Sequence, residues 1–235
     1  MISILKYVFN RIEKKYLLNK EEYDYLLERI EDKMIVDTYG EYSILNIYFD
    51  SKQYDLIRIS NDKPEYKEKI RLRSYGVPTL DHKVFLEIKK KYREIVNKRR
   101  ISFSLSDYYL FSKKGFNHAN QIQKEIIYDF EKYQLEPKVF VAYDRMAFQG
   151  KDDFEFRLTF DKNLRYRLED LRLELGDAGK KYFDQDMYIL EVKCMGAMPL
   201  WFTRILSEKK IYPISFSKIG NIYKKIMGKE EEHYV

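Results

Sequence analysis

Charged side chains recur two residues apart along this chain. The sets are Arg11, Glu13 and Lys15; Lys69, Arg71 and Arg73; Glu87 and Lys89; Lys98 and Arg100; Glu155 and Arg157; and Glu191 and Lys193. Tyr143 and Arg145 share the spacing. A β-strand turns successive side chains to opposite faces, so this period gathers each set on one face. Arginine brings a planar fork of donors and lysine a mobile point charge, and both suit phosphate oxygens. The densest stretch runs from Lys69 to Arg100, KIRLRSYGVPTLDHKVFLEIKKKYREIVNKRR. Its three strand-like runs have Ile70 and Leu72, then Val84, Leu86 and Ile88, then Ile101 and Phe103 on their other face. Pairing such strands places cations side by side. Two unit charges about 5.5 Å apart repel by roughly 3 kcal/mol at an effective dielectric near 20. That face needs a polyanion or wide solvent exposure.

The elements that must carry these residues can be taken in order. Residues 7–16 read as a first strand. Asn19 caps a helix, with Glu22 completing a capping box and Tyr23, Leu26, Leu27 and Ile30 as its apolar stripe. Residues 42–50 read as a strand with Leu45, Ile47 and Phe49 on one face, and 53–59 as a short helix or turn carrying Arg58. After the three charged strands, 106–134 turn helical and break in two at 112–115. Strands return at 138–147 and 154–161. Residues 162–185 form a polar connection with a short strand at 171–175, and 187–194 give the last strand. Pro199 opens a helix to about Lys210. Ser217 caps a final helix that Gly228 stops. The tail GKEEEHYV reads as disordered.

A solvated sheet face explains any one charged strand. It explains less well a chain in which nearly every strand repeats the pattern with an apolar opposite face. An antiparallel β-barrel with a polar interior and surrounding helices, an α+β fold, satisfies both faces and removes the edges. Residues 1–228 read as a single domain, since no Gly/Ser-rich or low-complexity linker interrupts them.

Composition narrows the partner. The net charge is +6 and charged residues make up 35% of the chain, which favours an anion: nucleotide, polyphosphate, nucleic acid or acidic lipid. The single cysteine, Cys194, excludes an internal disulfide and a cysteine-rich zinc site, and His82, His118 and His233 lack metal spacing. The N-terminus lacks the pattern of a signal peptide and no apolar run spans a bilayer, so the expected compartment is a reducing cytoplasm.

At RIEKKY, YFDS, KIRLR with Tyr75, FLEIKKK, KRR, YDRMAF, FRLTFD, ILEVK, PLW and FSK the chain resembles the VTC domain, the polyphosphate polymerase domain of the CYTH or triphosphate-tunnel superfamily. The match runs from about Phe9 to about Lys225. The resemblance implies a tunnel barrel with a basic lumen holding ATP phosphates, a polyphosphate chain and Mn²⁺ or Mg²⁺. It implies Arg71, Arg73, Lys89, Arg145, Arg157 and Glu191 as the catalytic group. Lys15, Arg58, Lys98, Arg100, Tyr143, Lys193, Ser217 and Lys218 would bind substrate phosphates. Glu191 matches the acidic metal ligand. Glu13 and Glu87 are either further metal ligands or ion partners of the same face, with the ion pair the first reading. Asn10 departs from the acidic residue of many relatives.

The expected reaction is transfer of the ATP γ-phosphate to a polyphosphate end. Hydrolysis on the same fold and a non-catalytic polyphosphate-binding module are the alternatives. Nucleic acid is not expected, because few aromatics share the cationic faces. Any membrane partner must be another chain.

Overall fold

A computed structural model describes residues 11–93, 95–114 and 120–228. Asn10 and the tail from residue 229 lie outside them. The chain forms two compact units, each built from three stretches of sequence: Met1–Glu41, Arg145–Asn163 and Phe183–Phe216 in the first, and Tyr42–Asp144, Leu164–Tyr182 and Ser217–Val235 in the second.

Strands β1 (Arg11–Leu18) and β9 (Tyr188–Met195) pair antiparallel in the first unit, and β9 pairs with β7 (Arg157–Arg167). Helices α1 (Lys20–Ile30) and α5 (Leu200–Glu208) belong to the same unit. The Asn19 carboxamide accepts from the Glu22 amide while the Glu22 carboxylate accepts from the Asn19 amide, so α1 starts where the capping box places it. A cap of this kind is worth about 1 kcal/mol. Tyr23 stacks on Tyr188 at 3.9 Å and meets Phe160 edge-on at 5.3 Å. Around them Leu18, Leu26, Leu158, Leu190 and Phe202 are fully buried. Each large apolar side chain so buried stabilises by about 1.5–3 kcal/mol relative to exposure.

In the second unit, β3 (Tyr66–Tyr75), β4 (Lys83–Tyr92) and β5 (Ile95–Ser104) form an antiparallel meander, with β3 also paired to β2 (Met34–Asp50). Their even-numbered core residues Ile70, Leu72, Val84, Leu86 and Ile88 are buried. They join Leu45, Ile47 and Phe49 in one core with α3 (Leu105–Lys114), α4 (Gln121–Tyr133) and β6 (Glu136–Gly150). Helix α2 (Asp55–Asn61) starts on Asp50, whose carboxylate accepts from the amides of Leu56 and Ile57. Helix α6 (Lys218–Ile226) is capped by Ser217, and Gly228 at φ +63 follows it. A Cβ on Gly220 would sit 2.6 Å from the Asn61 Oδ1 at the end of α2, so a larger residue there would have to displace that side chain.

The strand order is β1-β9-β7-β6-β2-β3-β4-β5, with β8 (Lys180–Lys181) on β7. This is the expected α+β arrangement of a large antiparallel sheet with helices. Among the described residues this order ends at β1 and β5. Among the described residues, no helix is long and apolar enough to cross a membrane.

Several boundaries differ from the sequence reading. β2 begins at Met34, in a stretch whose mixture of Asp37, Thr38 and Gly40 breaks the alternation. β7 begins at Arg157 instead of 154, because 153–156 turn: the Phe156 amide bonds to Asp153 and Phe154 is 63% exposed. β7 then runs on to Arg167 through the polar stretch expected to be a connection. Its partners there are Lys180 and Lys181, distant in sequence. Residues 173–175 form a 3₁₀ turn, not a strand, and Leu173 is buried in it. Pro199 is the N-cap of α5, one position earlier than expected.

Candidate phosphate-binding site

The register of the meander decides what each cation faces. β3 contributes Lys67, Lys69, Arg71 and Arg73 to one face, β4 Lys83, Lys89 and Lys91, and β5 Lys98 and Arg100. The same positions hold one carboxylate, Glu87, which lies between Arg71 and Arg100 in the register. Cations are therefore not simply abutted. Glu87 separates the arginine row, while Lys69, Lys89 and Lys98 align in the next row.

Glu87 is 2% exposed. It accepts from Arg71 Nε at 2.8 Å, with Arg71 Nη2 at 2.7 Å and Lys98 Nζ at 2.8 Å. Arg73 Nη1 stands farther off, at 3.9 Å. Burial pushes the Glu87 carboxyl up, but Arg71, Arg73 and Lys98 outweigh it and hold the group down at about 2. Lys98 is pushed below the usual ammonium range, by burial first and then by Arg71 and Arg73, against the pull of Glu87. The register shows that the face carries more cations than its carboxylate balances.

Arg71 also donates to the Tyr48 hydroxyl at 3.1 Å. Arg73 Nε donates to Asn46 Oδ1 at 3.0 Å, and Arg73 Nη2 to the Tyr143 hydroxyl at 3.3 Å. Lys218 lies over the Tyr143 ring at 4.4 Å, and Lys69 donates to the Ser217 hydroxyl at 2.8 Å. The N-terminus of α6 thereby joins the strands. Ser217 combines its cap, accepting from the Gly220 amide at 3.2 Å, with this contact. Arg100 covers the Phe85 ring at 4.8 Å, and Lys89 is exposed. Arg58 stands apart: it is exposed on α2 and pairs with Asp55 at 3.8 Å. A few aromatics do share this face. Tyr48, Phe85 and Tyr143 each lie under a cation, so none presents an open ring for base stacking.

The first unit holds a second group. Lys15 Nζ donates to the Phe216 carbonyl at 3.0 Å and lies 3.9 Å from both Glu13 Oε1 and Glu191 Oε2. The Ile214 amide, bonded to the Lys15 carbonyl at 2.7 Å, fixes that segment against β1. Lys193 forms a close ion pair with Glu191, whose side chain is 11% exposed. Burial opposes ionisation of Glu191, yet Lys193, Lys15 and Arg145 hold it well below the usual carboxylate range. Across β7, Arg157 faces Lys193 in the register and Thr159 faces Glu191. The buried Thr159 hydroxyl oxygen has no hydrogen-bond partner among the described residues. Arg157 is exposed and donates to the Phe154 carbonyl at 3.3 Å. Arg145 is gripped through two bonds by Asp161, at 2.6 and 2.8 Å.

Asn46, Tyr48 and Asp161 are the contributors that site selection from sequence missed. Parity held the signal, since Asn46 and Tyr48 alternate with Leu45, Ile47 and Phe49 and therefore share a face with the cations. Among the described residues, no three His, Cys, Asp or Glu side chains gather as a metal-holding group. Glu13 and Glu191 do flank one ammonium, and two carboxylates suffice for a hard cation that takes its other ligands from phosphate and water.

Acid unfolding reads the Glu87 pairs directly. An unfolded glutamate titrates near 4.5 and the folded one near 2. The stabilisation is complete above 4.5 and is lost as pH falls toward 2, roughly 3 kcal/mol in all. Urea midpoints measured from pH 6 to pH 2 should fall less steeply for Glu87→Gln than for the wild type. Parallel slopes would contradict these pairs.

Comparison with known proteins follows the same lines. An adenylyl cyclase candidate from Hippeastrum, described as having a dominant triphosphatase activity, aligns with a TM-score of 0.55 at 13% identity, covering 94% of this chain and 98% of that one. An adenylate cyclase candidate from Vibrio parahaemolyticus aligns with a TM-score of 0.46 at 13% identity over 94% and 98%. A protein from Pyrococcus horikoshii gives 0.48 at 13% over 92% and 99%. At such identity the Hippeastrum likeness speaks to the fold alone. No curated protein matches the chain. The VTC domain model matches residues 10–227. That span carries both charged groups from Glu13 to Lys218, and with it the chain belongs to the VTC domain family.

Proposed function

We propose that this chain is a polyphosphate polymerase, transferring the γ-phosphate of ATP to the end of an inorganic polyphosphate chain. The observation that carries the reading is the charge of the meander face. Its cations surround a single carboxylate, and that carboxylate is already bound to Arg71 and Lys98. Arg71 and Arg73 would clamp phosphate oxygens, with Tyr143, Lys98, Arg100, Lys89, Lys69, Ser217 and Lys218 extending the contact. In the first unit Lys15, Arg145, Arg157 and Lys193 would do the same. Arg58 would contact phosphate only from the exposed side of α2.

In the reaction a terminal oxygen of polyphosphate forms a bond to the γ-phosphorus. The bond from that phosphorus to the β-bridging oxygen breaks, and ADP leaves with the electron pair. The cations neutralise the phosphate charge that otherwise repels donor from acceptor, which is most of what phosphoryl transfer requires of a protein. Mn²⁺ or Mg²⁺, when bound, would supply further charge neutralisation, and Glu191 with Glu13 would hold it. Glu87 is better read as the ion partner of Arg71 and Lys98.

Hydrolysis is the second reading, favoured by the triphosphatase activity described for the Hippeastrum protein. A water-positioning carboxylate would be needed, and Glu87 is engaged elsewhere. Tripolyphosphate at about 100 times its dissociation constant should stabilise the fold by roughly 2.7 kcal/mol. A melting temperature unmoved by any phosphate chain would count against phosphate binding. γ-Labelled ATP with Mn²⁺ separates the rest: label retained in a polymer ladder supports the polymerase, and label only in orthophosphate supports the hydrolase.

A further inference from the structure

We infer that Asn46 is a positioning residue that sets the phosphate-binding strength of Arg73. The inference rests on the reading of Arg73 as a phosphate clamp. Asn46 is fully buried in β2, directly opposite Arg73 in the register with β3. Its Nδ2 donates to the Val141 carbonyl at 3.1 Å, an oxygen that can only accept. That bond fixes the amide orientation, so Oδ1 must be the atom turned to Arg73 Nε.

The type of acceptor matters. Arg145 is held through Nε and Nη2 by the carboxylate of Asp161, which cancels charge as it orients. Arg71 is held the same way by Glu87. Arg73 is held by two neutral oxygens, of Asn46 and Tyr143, with Glu87 beyond hydrogen-bonding distance at 3.9 Å. Among the described residues its Nη1 makes no hydrogen bond. The guanidinium is therefore oriented at Nε while its outer edge keeps charge and donors for an anion. A carboxylate at position 46 would orient it equally well and weaken it.

The test is a double-mutant cycle read by calorimetric titration with tripolyphosphate, on variants that melt cooperatively. Arg73→Ala should weaken binding about a hundredfold and Asn46→Leu about tenfold, the scale of hydrogen bonds to charged groups. In the Arg73→Ala background, Asn46→Leu should change nothing further, because its effect runs through the guanidinium. Asn46→Asp provides a second route should the leucine variant fail to fold. It should bind more weakly than the wild type at neutral pH and recover part of that loss when the carboxyl is protonated. An equal tenfold loss in both backgrounds would make Asn46 merely structural and overturn the inference, as would wild-type affinity in Asn46→Leu or Asn46→Asp. If Arg73→Ala itself binds like the wild type, the clamp reading fails and the inference falls with it.

Discussion

Replacing Arg73 with alanine is expected to lower ATP turnover about a thousandfold. Arginines that stabilise a transferring phosphoryl group contribute on that scale, about 10³–10⁵ in turnover, and a single preorganised donor contributes about 10²–10³. Arg73 is 6% exposed and already ordered by Asn46 and Tyr143, so little is left to organise when phosphate arrives. The loss should fall mainly on kcat if the contact strengthens as charge moves onto the transferring group, and on KM if it is equal before and during transfer. Arg73→Lys should recover only part of the activity, since a point charge replaces the fork and cannot reach Asn46 through Nε. Truncation also leaves Asn46 Oδ1 without its donor, so a fall in stability of about 1–3 kcal/mol should accompany the change. Melting measured beside kinetics separates the two. Turnover within threefold of wild type would remove Arg73 from the reaction.

The second large effect is expected at Glu191. Glu191→Gln should reduce turnover about 10²–10³-fold, the range of a lost electrostatic contact at the reacting centre. Binding of polyphosphate should hold or tighten, because Lys15 and Lys193 lose the carboxylate they now share. This opposition of binding and turnover distinguishes a metal-holding acid from a neutralising one. The wild type should show saturable dependence on Mn²⁺, and the variant should need far more metal. Since cations hold the carboxyl below the usual range, it stays ionised through neutral and mildly acid pH, and no loss of activity there should trace to Glu191. Unchanged metal dependence in Glu191→Gln would assign it to ion pairing alone.

Local alternation was enough to find β3, β4 and β9 in the sequence, because their apolar and charged faces separate at every second residue. Capping chemistry was enough for α1 and α6, where Asn19 and Ser217 do what their side chains can do. The far end of β7 was illegible for the opposite reason. Leu164 and Tyr166 are buried, but Lys162, Asn163, Arg165 and Arg167 crowd around them, and the partners at Lys180 and Lys181 are set by tertiary packing. Within the site, sequence spacing identified the cations but not their registers. That Arg71 faces Glu87, while Lys69 faces Lys89, depends on the length of the turn between β3 and β4. The difference converts an expected row of repulsions into one partly neutralised row beside one cationic row. Asn46 and Asp161 were missed as contributors because neither carries the phosphate chemistry itself. They act on the arginines beside them.

Phosphate balance during ATP turnover tests the proposed polymerase most directly. With ATP, Mn²⁺ and a short polyphosphate primer, ADP and polymer-bound phosphate should rise together, one for one, while free orthophosphate stays low and the product lengthens on a sizing gel. ADP matched by orthophosphate, with no growth of the primer, would contradict it.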